Sequence, residues 1–243
     1  MTTRVKRTTR TYDSRGRQTQ ARRNREMVLD AAQRQFLDAG YALTTVAAIA
    51  REAGVSVETI YKAFGGKSGL VRAIYERGLS GRGPVAAFAR SDEMREREAD
   101  PAEIMRNWGA LTAEVASVVT PIRLLIRAAA GTDAEMSSLL EDGDNERLDR
   151  ARHHAEFLAD RGFIRAGISL AKATDVLWTC SSVEIYEMLM LKRGWSATEF
   201  AGFIAEFMMT ALLAKPTDRD ANGPRPSGAV GQLGGSTSIW AGS

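Results

Sequence analysis

Thr44-Thr45-Val46-Ala47-Ala48-Ile49-Ala50-Arg51-Glu52-Ala53-Gly54-Val55-Ser56-Val57-Glu58-Thr59-Ile60-Tyr61-Lys62-Ala63-Phe64 reads as two short helices joined by a tight turn. Thr45 is placed to cap the first helix, its hydroxyl accepting an N–H that the first turn leaves without a partner. Ile49 and Ala53 share one face at i, i+4 spacing, and the small Ala50 permits close helix approach. Gly54 follows the last helical residue, where a left-handed backbone is least strained for glycine. Val55 plugs the turn from beneath. Ser56 caps a second helix running from Val57 to about Phe64, with Ile60 and Phe64 turned to the core. Val57, Glu58, Thr59, Tyr61 and Lys62 are left outside. This is the pattern of a helix-turn-helix, whose second helix sets its N-terminal end against base edges. An ordinary helical hairpin gives the same turn; the flanks and the charge argue against that reading.

Upstream, residues 24–41 read as one amphipathic helix, with Val28, Ala32 and Phe36 at i, i+4, i+8, Leu29 beside them and Gly40 ending the run. Downstream, Gly65-Gly66 breaks the second helix of the pair. Ser68 is then expected to cap a further helix carrying Leu70, Val71, Ile74 and Tyr75. Lys67 precedes that start, so its ammonium and the free N–H groups can share one phosphate.

Ala31-Ala32, Phe36, Gly40-Tyr41, Thr45-Val46, Ile49-Ala50, Ala53-Gly54-Val55-Ser56, Thr59-Ile60-Tyr61, Phe64, Lys67 and Leu70 together resemble the DNA-binding domain of the tetracycline-repressor (TetR) family of transcriptional regulators. The resemblance covers residues 24–78. It implies an all-helical homodimer that binds a palindromic double-stranded DNA operator and is released by a small-molecule effector. It further implies that Val57, Glu58 and Thr59 at the start of the recognition helix, with Lys62 nearby, read bases, that Ser56 at the same helix start belongs to the DNA-binding residues, and that Thr45, Tyr61 and Lys67 hold phosphates. Glu58 departs from the family's usual glycine or alanine. It is either a reader of cytosine N4 or a solvated charge favoured by the helix dipole.

The net charge of +3 is divided unevenly: residues 1–80 carry +8 and the remainder −5. The positive field therefore belongs to the half with the helix-turn-helix, as an electrostatic DNA footprint requires. Most of it lies in residues 1–25, where Arg4, Lys6, Arg7, Arg10, Arg15, Arg17, Arg22, Arg23 and Arg25 face the single acid Asp13. Residues 1–20 lack a hydrophobic period and read as a basic disordered arm, suited either to a narrow minor groove or to solubility alone. No run approaches the length of a membrane helix, and the N-terminus has no apolar signal core. The single cysteine, Cys180, excludes an internal disulfide framework. These readings predict a cytoplasmic protein without membrane contact.

The second half reads as a series of helices. Gly81–Pro84 marks a break, and a mixed-charge stretch runs on to Asp100. Pro101 opens a helix capped by Asp100, with Met105, Trp108, Leu111 and Val115 on its stripe. Pro121 is expected to start another. Thr132-Asp133-Ala134-Glu135 reads as a capping box, and Asp144 or Asn145 as the cap of a helix running to Asp160. Residues 173–191 read as one apolar helix. Ser196-Ala197-Thr198-Glu199 is a second capping box, followed by Phe200, Phe203, Ile204, Phe207, Met208, Ala211 and Leu212 at helical spacing. These last two helices also resemble the dimerising helices of TetR-family regulators; so apolar a chain end needs cover on two sides. Residues 216–243, rich in glycine and proline, read as a flexible tail in which Trp240 is the one large side chain.

The expected organisation is an all-α protein: a basic arm (1–20), a three-helix helix-turn-helix domain (21–80), a helical ligand-binding and dimerisation domain (81–215) and a tail (216–243). Met105, Trp108, Met136, Phe157, Trp178 and Tyr186 are the candidate liners of an effector pocket. No metal site is expected, because His153 and Glu156 at i, i+3 supply too few ligands. No catalytic residues and no cofactor are expected, because nucleophile-elbow, phosphate-loop and dinucleotide glycine patterns are missing. The rival readings are a helical small-molecule enzyme retaining a DNA-binding module and a ligand-independent architectural DNA binder.

Overall fold

A computed structural model describes residues 14–81 and 85–214. The helices run α1 (Ser14–Leu43), α2 (Val46–Ala53), α3 (Val57–Phe64), α4 (Lys67–Leu79), α5 (Ala87–Arg97), α6 (Pro101–Ala130), α7 (Ala134–Asp160), α8 (Leu170–Cys180), α9 (Val183–Tyr186), continued as a π-helix over Glu187–Lys192, and α10 (Ala197–Leu212). The described residues are otherwise turns and one isolated antiparallel bridge between Ile164 and Leu213. The fold class is all-α, as expected. Residues 1–13, Pro84 in the expected break, and the tail with Trp240 lie outside the described residues.

Local chemistry sets the helix ends around the turn. Thr45 accepts the Ala48 N–H at 3.1 Å and Ser56 the Thr59 N–H at 3.1 Å. Between them Gly54 closes α2 in a left-handed conformation (φ 66°), and its N–H reaches back to the Ala50 and Arg51 carbonyls. Phe36, Ile49, Ile60, Leu70 and Val71 are fully buried in one cluster, each such side chain contributing about 1.5–3 kcal/mol of transfer energy. The same cluster takes Val119, Ile122 and Ile126 from α6 and Met136 and Leu139 from α7. A second cluster joins α6, α7, α8 and α10 around Ile104, Met105, Leu158 and Phe200.

Several boundaries differ from the expectation, each for a local reason. Helix α1 begins at Ser14, so residues 14–20 of the expected arm are helical; Gln20 donates to Asn24 one turn on. Helix α4 starts at Lys67 after Gly66, which makes no side-chain cap bond, so Ser68 is inside the helix and not its cap. The stretch after Leu79 contains α5. Its buried face is Ala87, Ser91 and Arg95, which leaves no apolar stripe to read. Pro121 does not begin a helix but sits within α6, where its flanks Val119, Thr120, Ile122 and Arg123 are buried and hold the chain helical. Thr132 does not cap α7. Asp133 does, accepting from the Glu135 and Met136 N–H groups. Asp144 does not cap a new helix either; it is one turn of an unbroken α7 and its carboxylate is spent on Arg123 and Arg147. The apolar run 173–191 is broken at Ser181-Ser182, where the Ser182 hydroxyl caps α9 through the Ile185 N–H. The Ser196–Glu199 capping box forms as read.

Helix α6 is long and apolar enough, by length and composition alone, to cross a membrane, as the core helix of a globular protein also can be. It packs against α1, α4, α5, α7, α9 and α10 and is the central strut of the fold. Gly109 allows α10 to cross it closely, since a Cβ there would stand 2.4 Å from the Ala201 carbonyl oxygen.

Candidate nucleic-acid interface and effector cavity

Helix α3 buries one side and presents the other. Ile60 is fully buried, while Val57 and Tyr61 are 40% and 54% exposed. Glu58, Thr59 and Lys62 are exposed with them, as are Thr45 and Ser56. The expected base-facing and phosphate-facing residues are thus all exposed, apart from Lys67, which is half-buried. The Ser56 and Thr59 hydroxyls lie 2.8 Å apart in a hydrogen bond, which fixes the orientation of the Thr59 side chain at the helix start.

The helix is held from behind. Arg25 lies 4.6 Å over the Phe64 ring. Gly69 lets the backbone of α4 close onto the end of α3, where an added Cβ would meet the Phe64 carbonyl oxygen at 1.7 Å. Glu52 on α2 accepts from Arg34 and Gln35 of α1, and Arg77 on α4 donates to Glu26, Asp30 and Gln33 of α1. Thr44, buried, donates to the Gln35 and Gly40 carbonyls and shapes the chain entering α2. Sequence reasoning missed Thr44, Glu52 and Arg77, because charge and hydroxyl patterns do not reveal partners on another helix.

Lys67 has a structural partner. Its Nζ donates to the Tyr41 carbonyl oxygen at 2.8 Å and sits 4.1 Å over the Tyr41 ring. The Tyr41 hydroxyl bonds Asp133 at the start of α7; burial first, then that carboxylate, pushes the tyrosine above its ordinary range. Lys67 therefore stands where α1, α4 and α7 meet.

A cavity of about 150 Å³ opens between α4, α5, α6, α7, α8 and α10. Its wall is mostly apolar, with Leu111, Val115, Leu177 and Met208 among the liners. Of the six residues expected to line an effector pocket, Trp108 does. Met105 is fully buried in the second cluster and Met136 in the first. Phe157 lies beneath Arg95 and Arg161. Trp178 is 37% exposed, covered by Arg147 at 5.3 Å. Tyr186 makes an edge contact with Phe200. These five pack between helices or lie near the surface, away from the open space.

The polar part of the cavity wall escaped the sequence reading. Arg123, Arg147, Arg150 and His154 line it. His154 packs against Trp108 with 4.2 Å between ring centroids and the rings tilted by 38°, and its Nδ1 faces Arg95 Nη1 at 3.3 Å. Burial above all, then the charges of Arg150, Arg95 and His153, hold His154 well below the usual imidazole range, so the ring is neutral at pH 7 and accepts from Arg95. Cys180 also lines the cavity; burial pushes its thiol up to about 12, which leaves it a small apolar group. His153 turns away to Asp92 and Arg95.

Residues 28–74 match the family described as "Bacterial regulatory proteins, tetR family". Over 65 residues the chain is 38% identical to a Bacillus subtilis (strain 168) protein named "Uncharacterized HTH-type transcriptional regulator YvkB". That match takes in 27% of this chain and spans about a third (34%) of the length of the curated relative. Among solved structures, the SmeT–triclosan complex is similar with a TM-score of 0.64 and 21% identity, covering 80% of this chain and 93% of that one. NalD, the secondary repressor of the MexAB-OprM multidrug efflux pump in Pseudomonas aeruginosa, is similar with a TM-score of 0.59 and 19% identity, over 80% and 98% of the two chains.

Proposed function

We propose that the protein is a ligand-responsive transcriptional regulator, acting as a repressor; the match of residues 28–74 to the tetR-family regulators and the likeness of the fold to SmeT and NalD support this reading. It binds a palindromic operator as a homodimer and leaves it when a small effector enters the cavity beneath α4. The observation that carries this reading is the outer surface of α3: Val57, Glu58, Thr59, Tyr61 and Lys62 face solvent from a helix capped at its start and pinned behind by Ile60. A helix presented in this way fits a major groove with its N-terminal residues at the base edges.

Two further features support the finer parts. On α10, Phe203 and Phe207 are 38% and 42% exposed and stack with their centroids 6.3 Å apart. Met188 and Leu191 on the π-helical segment are more than half exposed. Such a face suits an isologous contact between the C-terminal helices of two copies. The cavity adjoins α4, whose Tyr75 and Leu79 line it, so an occupant would touch the element that carries α3. The similar SmeT structure is a complex with triclosan, which agrees with a small apolar occupant in this fold.

The test is a selected-site binding series with the full chain. Thr59→Ala should change preference at one base position, while Tyr61→Phe should lower affinity for all sequences alike, by about fivefold if one phosphate contact of the usual strength is lost. Uniform loss from both variants would remove α3 from base reading.

A further inference from the structure

The cavity is apolar, yet cations outnumber anions around it. Arg123 is 5% exposed in its side chain and Arg147 14%, and both share a single carboxylate oxygen of Asp144, at 2.6 and 2.8 Å. A second set repeats the imbalance: Arg150 and Arg95 share Asp92, at 3.0 and 3.3 Å. Glu184 lies farther off, occupied by Arg127. Buried charge without a matched counter-ion is expensive. The strain is visible at Arg147, which burial first and the neighbouring Arg123 second make easier to deprotonate than an ordinary arginine, against the pull of Asp144.

Three donors on the same wall lack hydrogen-bond partners among the described residues: Nε of Arg123, Nε of Arg147 and Nε1 of Trp108, the last on a side chain only 4% exposed. An orphaned buried donor costs about 1–3 kcal/mol, more for a charged group. An anion placed in the cavity would supply the missing counter-charge beside Arg123 and Arg147.

We propose that the cavity takes an organic monoanion, a compact apolar body bearing a carboxylate directed at Arg123 and Arg147. The apolar body lies against Leu111, Val115 and Met208. A volume near 150 Å³ matches a ring the size of benzene or a short alkyl chain. Arg123 also gives the ligand a route to the DNA-binding helices. Its Nη1 donates to the Tyr75 hydroxyl of α4 at 3.3 Å, and Nη2 holds Asp144 of α7. Gly143 lies against this junction, where a Cβ would stand 2.4 Å from Arg123 Nη1 and 2.9 Å from the Tyr75 hydroxyl oxygen. A carboxylate that draws the guanidinium away must loosen Tyr75, and α4 with it. This last step rests on the ligand-responsive reading above; the ligand class does not.

The test titrates the full chain calorimetrically with benzoate and hexanoate, and with the size-matched neutral benzyl alcohol and hexan-1-ol. The carboxylates should bind at least about tenfold more tightly than the alcohols, as charge-assisted bonds in a dry site require. Arg147→Gln should bring the two classes to parity while leaving alcohol binding in place. Arg123→Gln should do the same, and Arg147→Gln carries the test alone if loss of the Tyr75 bond unfolds the former. Alcohols binding as well as carboxylates, no binding by either class, inorganic phosphate binding as well as hexanoate, or an Arg147→Gln chain that keeps the preference would each overturn the ligand class. Carboxylate binding that leaves the protein on its DNA would uphold the ligand class and refute release.

Discussion

Two single residues concentrate the local constraints. Gly69 lies where α4 touches the end of α3, with no room for a methyl group against the Phe64 carbonyl. Gly69→Ala must push the two helices apart; it should cost about 3 kcal/mol, the upper end for overpacking, measured by denaturant unfolding. DNA affinity should fall more than the loss of folded protein accounts for, since α3 moves. His154 is the other. Its folded-state affinity for protons is lowered by burial and by Arg150, Arg95 and His153, so the unfolded chain binds the proton more tightly. Stability is therefore full above about pH 6.5, the ordinary histidine value, and declines as pH falls below it toward the depressed folded value. His154→Phe, which keeps a ring against Trp108, should shrink the difference between unfolding midpoints at pH 7 and pH 5.5. A difference as large as in the parent chain would place the titration elsewhere.

Elements were legible where their signals are local. The α2–turn–α3 unit is written in Thr45, Gly54 and Ser56, each of which acts on backbone within a turn of itself, and all three act as read. Ser56→Ala should accordingly destabilise the protein by about 1 kcal/mol in thermal unfolding and weaken DNA binding, because the freed Thr59 N–H and hydroxyl lose a common partner. Elements whose reasons are tertiary were not legible. Helix α5 buries Ala87, Ser91 and Arg95, a face that by composition reads as solvent. Helices α6 and α7 run through Pro121 and Gly143, residues that sequence grammar treats as punctuation, because packing on both sides outweighs the local penalty. The arginines of the cavity were missed for a related reason. A charged residue on an amphipathic helix reads as exposed, and only the crossing of α4, α6 and α7 puts Arg123 and Arg147 on one wall. The outer surface of α3 was fully written in its own eight residues; the cavity was not written in any one helix.

At the scale of the whole molecule, a hydrophobic core that runs from α1 to α7 joins the helix-turn-helix unit and its flanking helices to the cavity-bearing ones. Arg123 to Tyr75, Arg72 to Asp142, and Lys67 to Tyr41 and on to Asp133 are polar ties across the same boundary. On the proposed reading, a ligand that shifts α6 or α7 acts on α4 through packed side chains and these ties. The exposed Phe203 and Phe207 fit the other half of the account, pairing of two chains. Phe203→Glu with Phe207→Glu should give a monomer by light scattering and weaken operator binding by at least about a hundredfold, while far-ultraviolet circular dichroism stays helical, since neither side chain is in the core. A double variant that remains dimeric would move the interface elsewhere. The central claim is that two copies of α3 read duplex DNA from their outer surfaces. Selection of bound sites from a random duplex pool by the purified full chain, followed by hydroxyl-radical footprinting, tests it most directly. The account predicts a palindrome with half-sites protected on one face about one helical turn, roughly 34 Å, or a multiple of it apart; a chain that enriches no sequence, or only a single unrepeated half-site, would contradict it.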